Sequence, residues 1–344
     1  MTYPVSDHFD GELFFNPEPT VRRAAGRKFG LVSILRARLK RDPSVWAAWP
    51  AHVENQAYPP PEDVDTGEVG VTFIGHSTFL LTLPGLTVLT DPIFSTRCSP
   101  VRFAGPKRVR APGLRLADLP RIDLLLLSHN HYDHCDVVSL RKLRKRFPAM
   151  RIVTSLGNAA FLARNGMHGA VELDWWQAHE AGETRVTALP ARHFAARSLW
   201  DRNKTLWAGF MLAHGGAKIY FAGDTGYTKF FGEIRARLGA PDLALLPIGA
   251  YEPRWFMGPV HMNPADAVMA FKDLGARRAV GMHFGTFQLT AETIDAPERE
   301  LAVAKAEAGL ADEDFVTLDC GETRVFECLA PAAKDLLDQP DQQA

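Results

Sequence analysis

From Val69 onward the chain alternates short apolar runs with stretches of helical period. The runs "VGVTFIGHSTFLLTL", "LTVLTDPIF", "IDLLLLS", "RIVTSL", "AVELDW", "TRVTALPA", "LWAGFML", "AKIYFAGD", "LALLPIGA", "RRAVGMHF", "FVTLD" and "TRVFECL" are continuous or alternating in the manner of strands. Between them "VVSLRKLRKRF", "GNAAFLARNG", "KFFGEIRARLG", "NPADAVMAFKDLG" and "APERELAVAKAEAG" read as helices, the last three finishing at a glycine that suits a C-cap. So many strands for so few helices predict an α/β protein of αββα layering, two mixed sheets face to face with helices outside, over a single parallel sheet. Residues 1–65 differ, being rich in proline and aromatics and ending in the linker-like "AYPPPEDVDTGE". They are expected to be an N-terminal extension, 66–330 the catalytic domain, and 331–344 a frayed tail.

Composition changes this picture little. With 46% hydrophobic residues, 23% charged residues and a net charge of -1 over 344 residues, the chain is an ordinary globular protein without a basic field for nucleic acid. Cys98, Cys135, Cys320 and Cys328 form neither a C-x-x-C pair nor a disulfide ladder, which favours a reducing compartment. The sequence starts without a signal-peptide pattern and no window is apolar enough for a membrane span, so a cytoplasmic location, with room for peripheral contact on the inner face of a membrane, is expected.

Candidate chemistry is concentrated in "LLLLSHNHYDHC", residues 124–135, which spends three of the chain's 12 histidines within six positions. Such an H-x-H-x-D-H pattern should arise by chance in on the order of one in a thousand chains of this kind. His129 and His131 share a face in extended backbone and can chelate one ion, while Asp133 and His134 follow on the turn, positioned for a second. A two-ion site needs further ligands at strand ends: His193 follows "TRVTALPAR", Asp224 follows "KIYFAG" and His283 follows "RRAVGM". One ion would take His129, His131 and His193, the other Asp133, His134 and His283, with Asp224 bridging. Histidine-rich ligation favours two Zn2+ per chain, with Mn2+ or Fe2+ as alternatives.

"HNHYDH", the later His193, "FAGDTGY" and "HFGTF" resemble the metallo-β-lactamase fold, whose members hold two metals, usually zinc, between two sheets. More narrowly, "IGHST", "LTDPIFSTRCSPVRFAGPKR", "VELDWW", "LWDRNKTLWAGF" and "PIGAYEPRWFM" resemble the branch of N-acyl-phosphatidylethanolamine-hydrolysing phospholipases D, from about Val69 to Glu327. The resemblance implies that ligand set and a hydrolase cleaving a phosphodiester, N-acyl-phosphatidylethanolamine or a related phospholipid, to phosphatidate and N-acylethanolamine by a metal-bridging hydroxide. It implies that Asp133 stands nearest the bridging water and that His261, just before a helix N-terminus, faces the phosphate as a catalytic and substrate-binding imidazolium. Phe284 stands where that branch often has tryptophan.

Other features have a plainer alternative. His76 reads more readily as a histidine supporting a ligand than as a ligand. Arg22, Arg23, Arg27, Lys28, Arg36, Arg38, Lys40 and Arg41, interleaved with apolar residues, suit either a helix on anionic lipid or a solvated helix packed on the domain. Trp175, Trp176, Trp255 and Phe256 could line an acyl groove or belong to the core. The expected partners are a phospholipid or small phosphodiester substrate and a peripheral membrane contact; nucleic acid is not among them, and a homodimer is left open. Competing readings are a cytosolic metallohydrolase of a water-soluble phosphoester or lactone, a dimetal redox protein, disfavoured by His131 and by the lack of a flavin module, and a binding protein without catalysis.

Overall fold

Strand β4 (Leu124–Leu127) shows how the pattern becomes a layered fold. Leu124 and Leu126 point into the core between two sheets, whereas Leu125 and Leu127 point the other way, beneath helices. The same alternation separates Phe79 and Leu81 from Leu80 on β2 (Thr78–Leu83), and Val88 from Leu89 on β3 (Leu86–Thr90). A strand buried on both faces needs apolar residues at every position, which is why β4 reads as four leucines. Each contributes roughly 1.5–3 kcal/mol by burial, so the strand leading into the histidine motif is firmly anchored.

The structure, a computed structural model, describes residues 3–18 and 46–328. Its first sheet has the order β14-β1-β2-β3-β4-β5-β6 and its second β13-β12-β11-β10-β9-β8-β7. The first adds β1 (Glu68–Gly75), β5 (Arg151–Ser155), β6 (Val171–Leu173) and β14 (Thr323–Glu327). The second comprises β7 (Ala178–Ala181), β8 (Thr184–Leu189), β9 (Gly209–His214), β10 (Ala217–Phe221), β11 (Leu243–Pro247), β12 (Arg278–Met282) and β13 (Phe315–Val316). Each sheet passes from antiparallel hairpins to parallel strands, as the expected mixed sheets require. Parallel neighbours need crossovers, supplied by α1 (Val137–Arg146), α2 (Asn158–Arg164), α3 (Phe230–Leu238), α4 (Arg254–Met257), α5 (Pro264–Leu274) and α6 (Ala296–Ala308).

Local signals set the helix limits. Asp136 caps α1 by accepting from Val138 N, and Leu140 and Leu143 bury one face while Arg144, Lys145 and Arg146 complement the C-terminal dipole. Asn263 and Asp266 form a capping box at the start of α5, and Gly275 ends it with φ 62°. Two elements went unread in the sequence. Strand β7, "AHEA", is a partly exposed edge strand with little apolar pattern, and α4 is a single turn within "PIGAYEPRWFM".

Part of the expected extension is built into this body. Phe9 and Phe14 lie in the main core, and His8 stacks on Trp175 at 4.3 Å while its Nε2 stands 2.7 Å from Asp174. Trp49 Nε1 donates to Glu292 O. The basic segment between Arg22 and Arg41 and the tail 331–344 lie outside the described residues. Trp175 is core, with Nε1 donating to Trp207 O, so it does not line a groove. Among the described residues no helix is long and apolar enough to cross a membrane.

Candidate metal centre

The residues following β4, β8, β10 and β12 meet at one edge of the sandwich. Strand β4 delivers His129, and a tight turn, closed by Cys135 N donating to His131 O, brings round Asp133 and His134. Strand β8 leads to His193, β10 to Asp224 and β12 to His283. Two close approaches depend on glycine. Gly223, at φ 58°, lies where a Cβ would come within 2.8 Å of Ser128 Cβ, and a Cβ on Gly249 would meet His283 O at 2.3 Å. His283 itself has φ 64°, a conformation held by its N–H donating to His76 O.

All seven expected ligands come together. His131 Nδ1 lies 2.8 Å from His129 Nε2 and 3.2 Å from His193 Nε2. Around Asp224 Oδ2 stand His134 Nε2 at 3.1 Å, His283 Nε2 at 3.2 Å, His193 Nε2 at 3.6 Å and His129 Nε2 at 3.9 Å. Asp133 Oδ2 is 3.5 Å from both His134 Nε2 and His283 Nε2. Among the described residues four overlapping groups could hold an ion, two of four residues, His129, His131, His193 and Asp224, and His76, Asp133, His134 and His283, and two of three, Asp91, His129 and His134, and Asp224, His261 and His283.

The donor set fits metal. Ligands at 2.0–2.1 Å around a tetrahedral zinc stand roughly 3.3 Å from one another, close to the separations found here. Asp224 Oδ1, His134 Nε2 and His283 Nε2 are buried without a hydrogen-bond partner, and such orphans at a chemical site call for an ion. Electrostatics agree. Burial favours the neutral acid of Asp224 and Asp133, yet the surrounding histidines hold both carboxyls well below the usual range. Burial likewise disfavours a charged His283, but Asp224 and Asp133 outweigh it and raise the ring to about 9. Buried anionic oxygens thus hold protons on adjacent imidazoles, where cations would displace them. Burial, reinforced by neighbouring histidines, pushes His129 well below 6.5 and leaves it a neutral ligand.

Supporting contacts fix the rings. His129 Nδ1 is 2.9 Å from Ser128 Oγ, His193 Nδ1 is 3.0 Å from Val260 O, and Asn16 Nδ2 donates to His193 O. Asp91, just beyond β3, was missed in the sequence although it stands in "LTDPIF". Wholly buried, it accepts from Ser128 N at 2.8 Å and from Ser128 Oγ, and His134 Nδ1 lies 2.7 Å from its Oδ2. Only its place at the end of a strand hinted at this role. Arg197 Nη1 donates to Asn130 O and Cys135 O, pinning the motif loop from the opposite sheet.

His261 enters the same cluster, its ring 5.0 Å from His193 and 5.2 Å from His283. Two expectations about it change. The N-terminus of α5 is already occupied by the Asn263–Asp266 capping box, with Asp266 also paired to Arg254, so that end is no open anion site. Burial holds His261 down at about 4, which favours a neutral imidazole over the expected imidazolium, and its Nδ1 is buried without a hydrogen-bond partner.

Comparison with known proteins converges on the same reading. The family described as "Beta-lactamase superfamily domain" matches residues 87–284. The chain is 39% identical over 263 residues to N-acyl-phosphatidylethanolamine-hydrolyzing phospholipase D 1 of Caenorhabditis elegans, covering 73% of this chain and 74% of that one. It is 29% identical over 249 residues to a UPF0173 metal-dependent hydrolase of Rubrobacter xylanophilus, covering 69% and 91%. Igni18, a metallo hydrolase from Ignicoccus hospitalis, shares the fold with TM-score 0.58 at 24% identity, over 76% of this chain and 99% of that one. A matched domain that begins in β3 and ends just past His283 spans every strand that feeds the cluster, and the chain belongs to the β-lactamase superfamily as a metal-dependent hydrolase of the N-acyl-phosphatidylethanolamine phospholipase D branch.

Proposed function

We propose that the chain is a dinuclear zinc phosphodiesterase that cleaves N-acyl-phosphatidylethanolamine or a related phospholipid to phosphatidate and N-acylethanolamine. The observation that carries this reading is Asp224 Oδ2, a single carboxylate oxygen within 3.9 Å of nitrogens from both halves of the cluster. His129, His131 and His193 would hold one ion, Asp133, His134 and His283 the other, and Asp224 would span them. Two divalent ions so held supply an activated water and a clamp for the charge on phosphate oxygens. The chain's own groups handle the protons. Water would add to phosphorus as the bond to the ethanolamine-side oxygen breaks; the carboxylate of Asp133 is the nearby group to receive the water's proton and pass it to the departing oxygen, which leaves as the alcohol, while an N–H of His261 would donate a hydrogen bond to that oxygen.

Exposed apolar side chains on segments tied to the site favour a lipid substrate. Phe103, Leu199, Trp200 and Trp255 are exposed by 84%, 69%, 82% and 65%, and exposed large side chains of this kind suit a lipid surface. The segments carrying them are rooted at the site. Tyr132 packs with Ile93, Cys98 and Phe287 and donates to Arg197 O, and His261 N donates to Met257 O of α4. Arg97, Arg102 and Lys107 accompany them in sequence and suit anionic headgroups.

Rates on vesicle-borne N-acyl-phosphatidylethanolamine and on a small soluble phosphodiester test the reading. Replacing Phe103, Trp200 and Trp255 with serine should lower the first at least about tenfold and leave the second nearly unchanged, since only interfacial burial is removed. Turnover confined to soluble esters in the unaltered chain would contradict the lipid assignment and favour a water-soluble phosphoester or lactone.

A further inference from the structure

His76 stands in the turn between β1 and β2, 1% exposed, with φ 60°, a left-handed conformation unusual for a residue other than glycine. Its backbone is engaged on both sides: its N–H donates to Thr286 Oγ1 at 2.9 Å, and its carbonyl accepts from His283 N at 2.8 Å. Its ring is therefore aimed, not left over from packing. Nε2 lies 3.0 Å from Asp133 Oδ2, the ring centre 4.0 Å from that of His283, and Nδ1 is buried without a partner.

Proximity alone would allow His76 to be an eighth ligand, because its donor atom falls within the group of Asp133, His134 and His283. Two observations speak for a different role. His134 and His283 each touch both carboxylates, so the space they share lies between Asp133 and Asp224. The described contacts of His76 with a carboxylate are to Asp133 alone, which sets it to one side of that space. The second observation concerns the proton. A neutral imidazole has one N–H and one lone pair. With the proton on Nε2, the ring donates to a carboxylate and leaves a bare lone pair at Nδ1. With the proton on Nδ1, a buried N–H points at nothing and a lone pair faces an anionic oxygen at 3.0 Å, a doubly unfavourable arrangement.

We propose that His76 is a positioning residue whose Nε2–H donates to Asp133 and fixes the angle at which that carboxylate meets the second ion. The same backbone carbonyl that receives His283 N places His283, so one residue sets two of that ion's ligands, one through its ring and one through its main chain. The inference rests on the two-ion reading above.

The test is metal affinity, read by competition with a chromophoric chelator, together with the Nε2 environment of His76 in cadmium-113-loaded protein by long-range proton–nitrogen NMR. In the native chain His76 should show a protonated Nε2 with no coupling to cadmium. His76→Phe, which keeps a ring without a donor, should weaken one of the two ions by about 10–100-fold, the usual cost of losing a partner behind a metal ligand, and leave the other within about threefold. His76→Gln, which restores an N–H, should recover most of the loss. Coupling of Nε2 to cadmium in the native protein would overturn the proposal by making His76 a ligand. Affinities of the Phe variant equal to native, or losses equal at both ions and unrelieved by Gln, would overturn it by reducing His76 to packing. Should the Phe variant not fold, the native NMR measurement decides between donor and ligand. A native chain holding no ions would instead refute the two-ion reading itself.

Discussion

Asp91 illustrates how much of the centre is set one residue behind the ligands. A buried carboxylate that accepts from Ser128 N, Ser128 Oγ and His134 Nδ1 leaves Nε2 as the His134 nitrogen turned to the metal space, where an ion would displace its proton. In Asp91→Asn the amide can satisfy Ser128 N only by turning its NH2 towards His134 Nδ1, which favours the tautomer with a proton where the ion should bind. We expect about 10–100-fold weaker binding of one ion with the fold retained, measured by chelator competition alongside circular dichroism. The seven proposed ligands, which the fold brings into one cluster, could be picked out in the sequence because four of them share one short loop and the others follow apolar runs. Asp91 was not legible as a support, and although His76 read as one, the ligand it steadies was not legible, because His134 and Asp133 lie 43 and 57 positions away from Asp91 and His76 and only the fold joins them. The burial that lowers the pKa of His261 and the capping box of α5 were not legible for a related reason, since both depend on tertiary packing.

At the scale of elements, strands of apolar character announced themselves, whereas β7 and α4 did not, because an edge strand and a single turn need little apolar surface. The segment 3–18 looked separate by composition but is an element of the core, tied down by Phe9, Phe14 and His8. Burial opposes a charge on His8, but Asp174 and Asp7 outweigh it and raise its pKa above the ordinary 6.5. The sign follows from linkage: protons bind the folded state more tightly, so this contribution is complete below pH 6.5 and fades as pH rises through the folded value. The stability advantage of the native chain over His8→Gln should therefore shrink as pH rises above 6.5, as read by thermal unfolding at each pH. An advantage that grew with pH would show that His8 is held neutral in the fold.

For the whole molecule, the two sheets bring four strand ends to one edge, and neither sheet supplies a complete site: β4 gives His129 and its loop, while His193, Asp224 and His283 come from the other sheet. The metal centre is therefore expected to link the halves of the sandwich, and chelation should destabilise the fold as a whole, because ions bound only by the native state stabilise it by mass action. The central claim is that one carboxylate serves two ions. Its most direct test is elemental analysis of the native chain and of Asp224→Ala, each purified without added metal and dialysed against a mild chelator. The native chain should hold about two ions, and the variant should lose both. Retention of two tightly held ions by Asp224→Ala would contradict that claim.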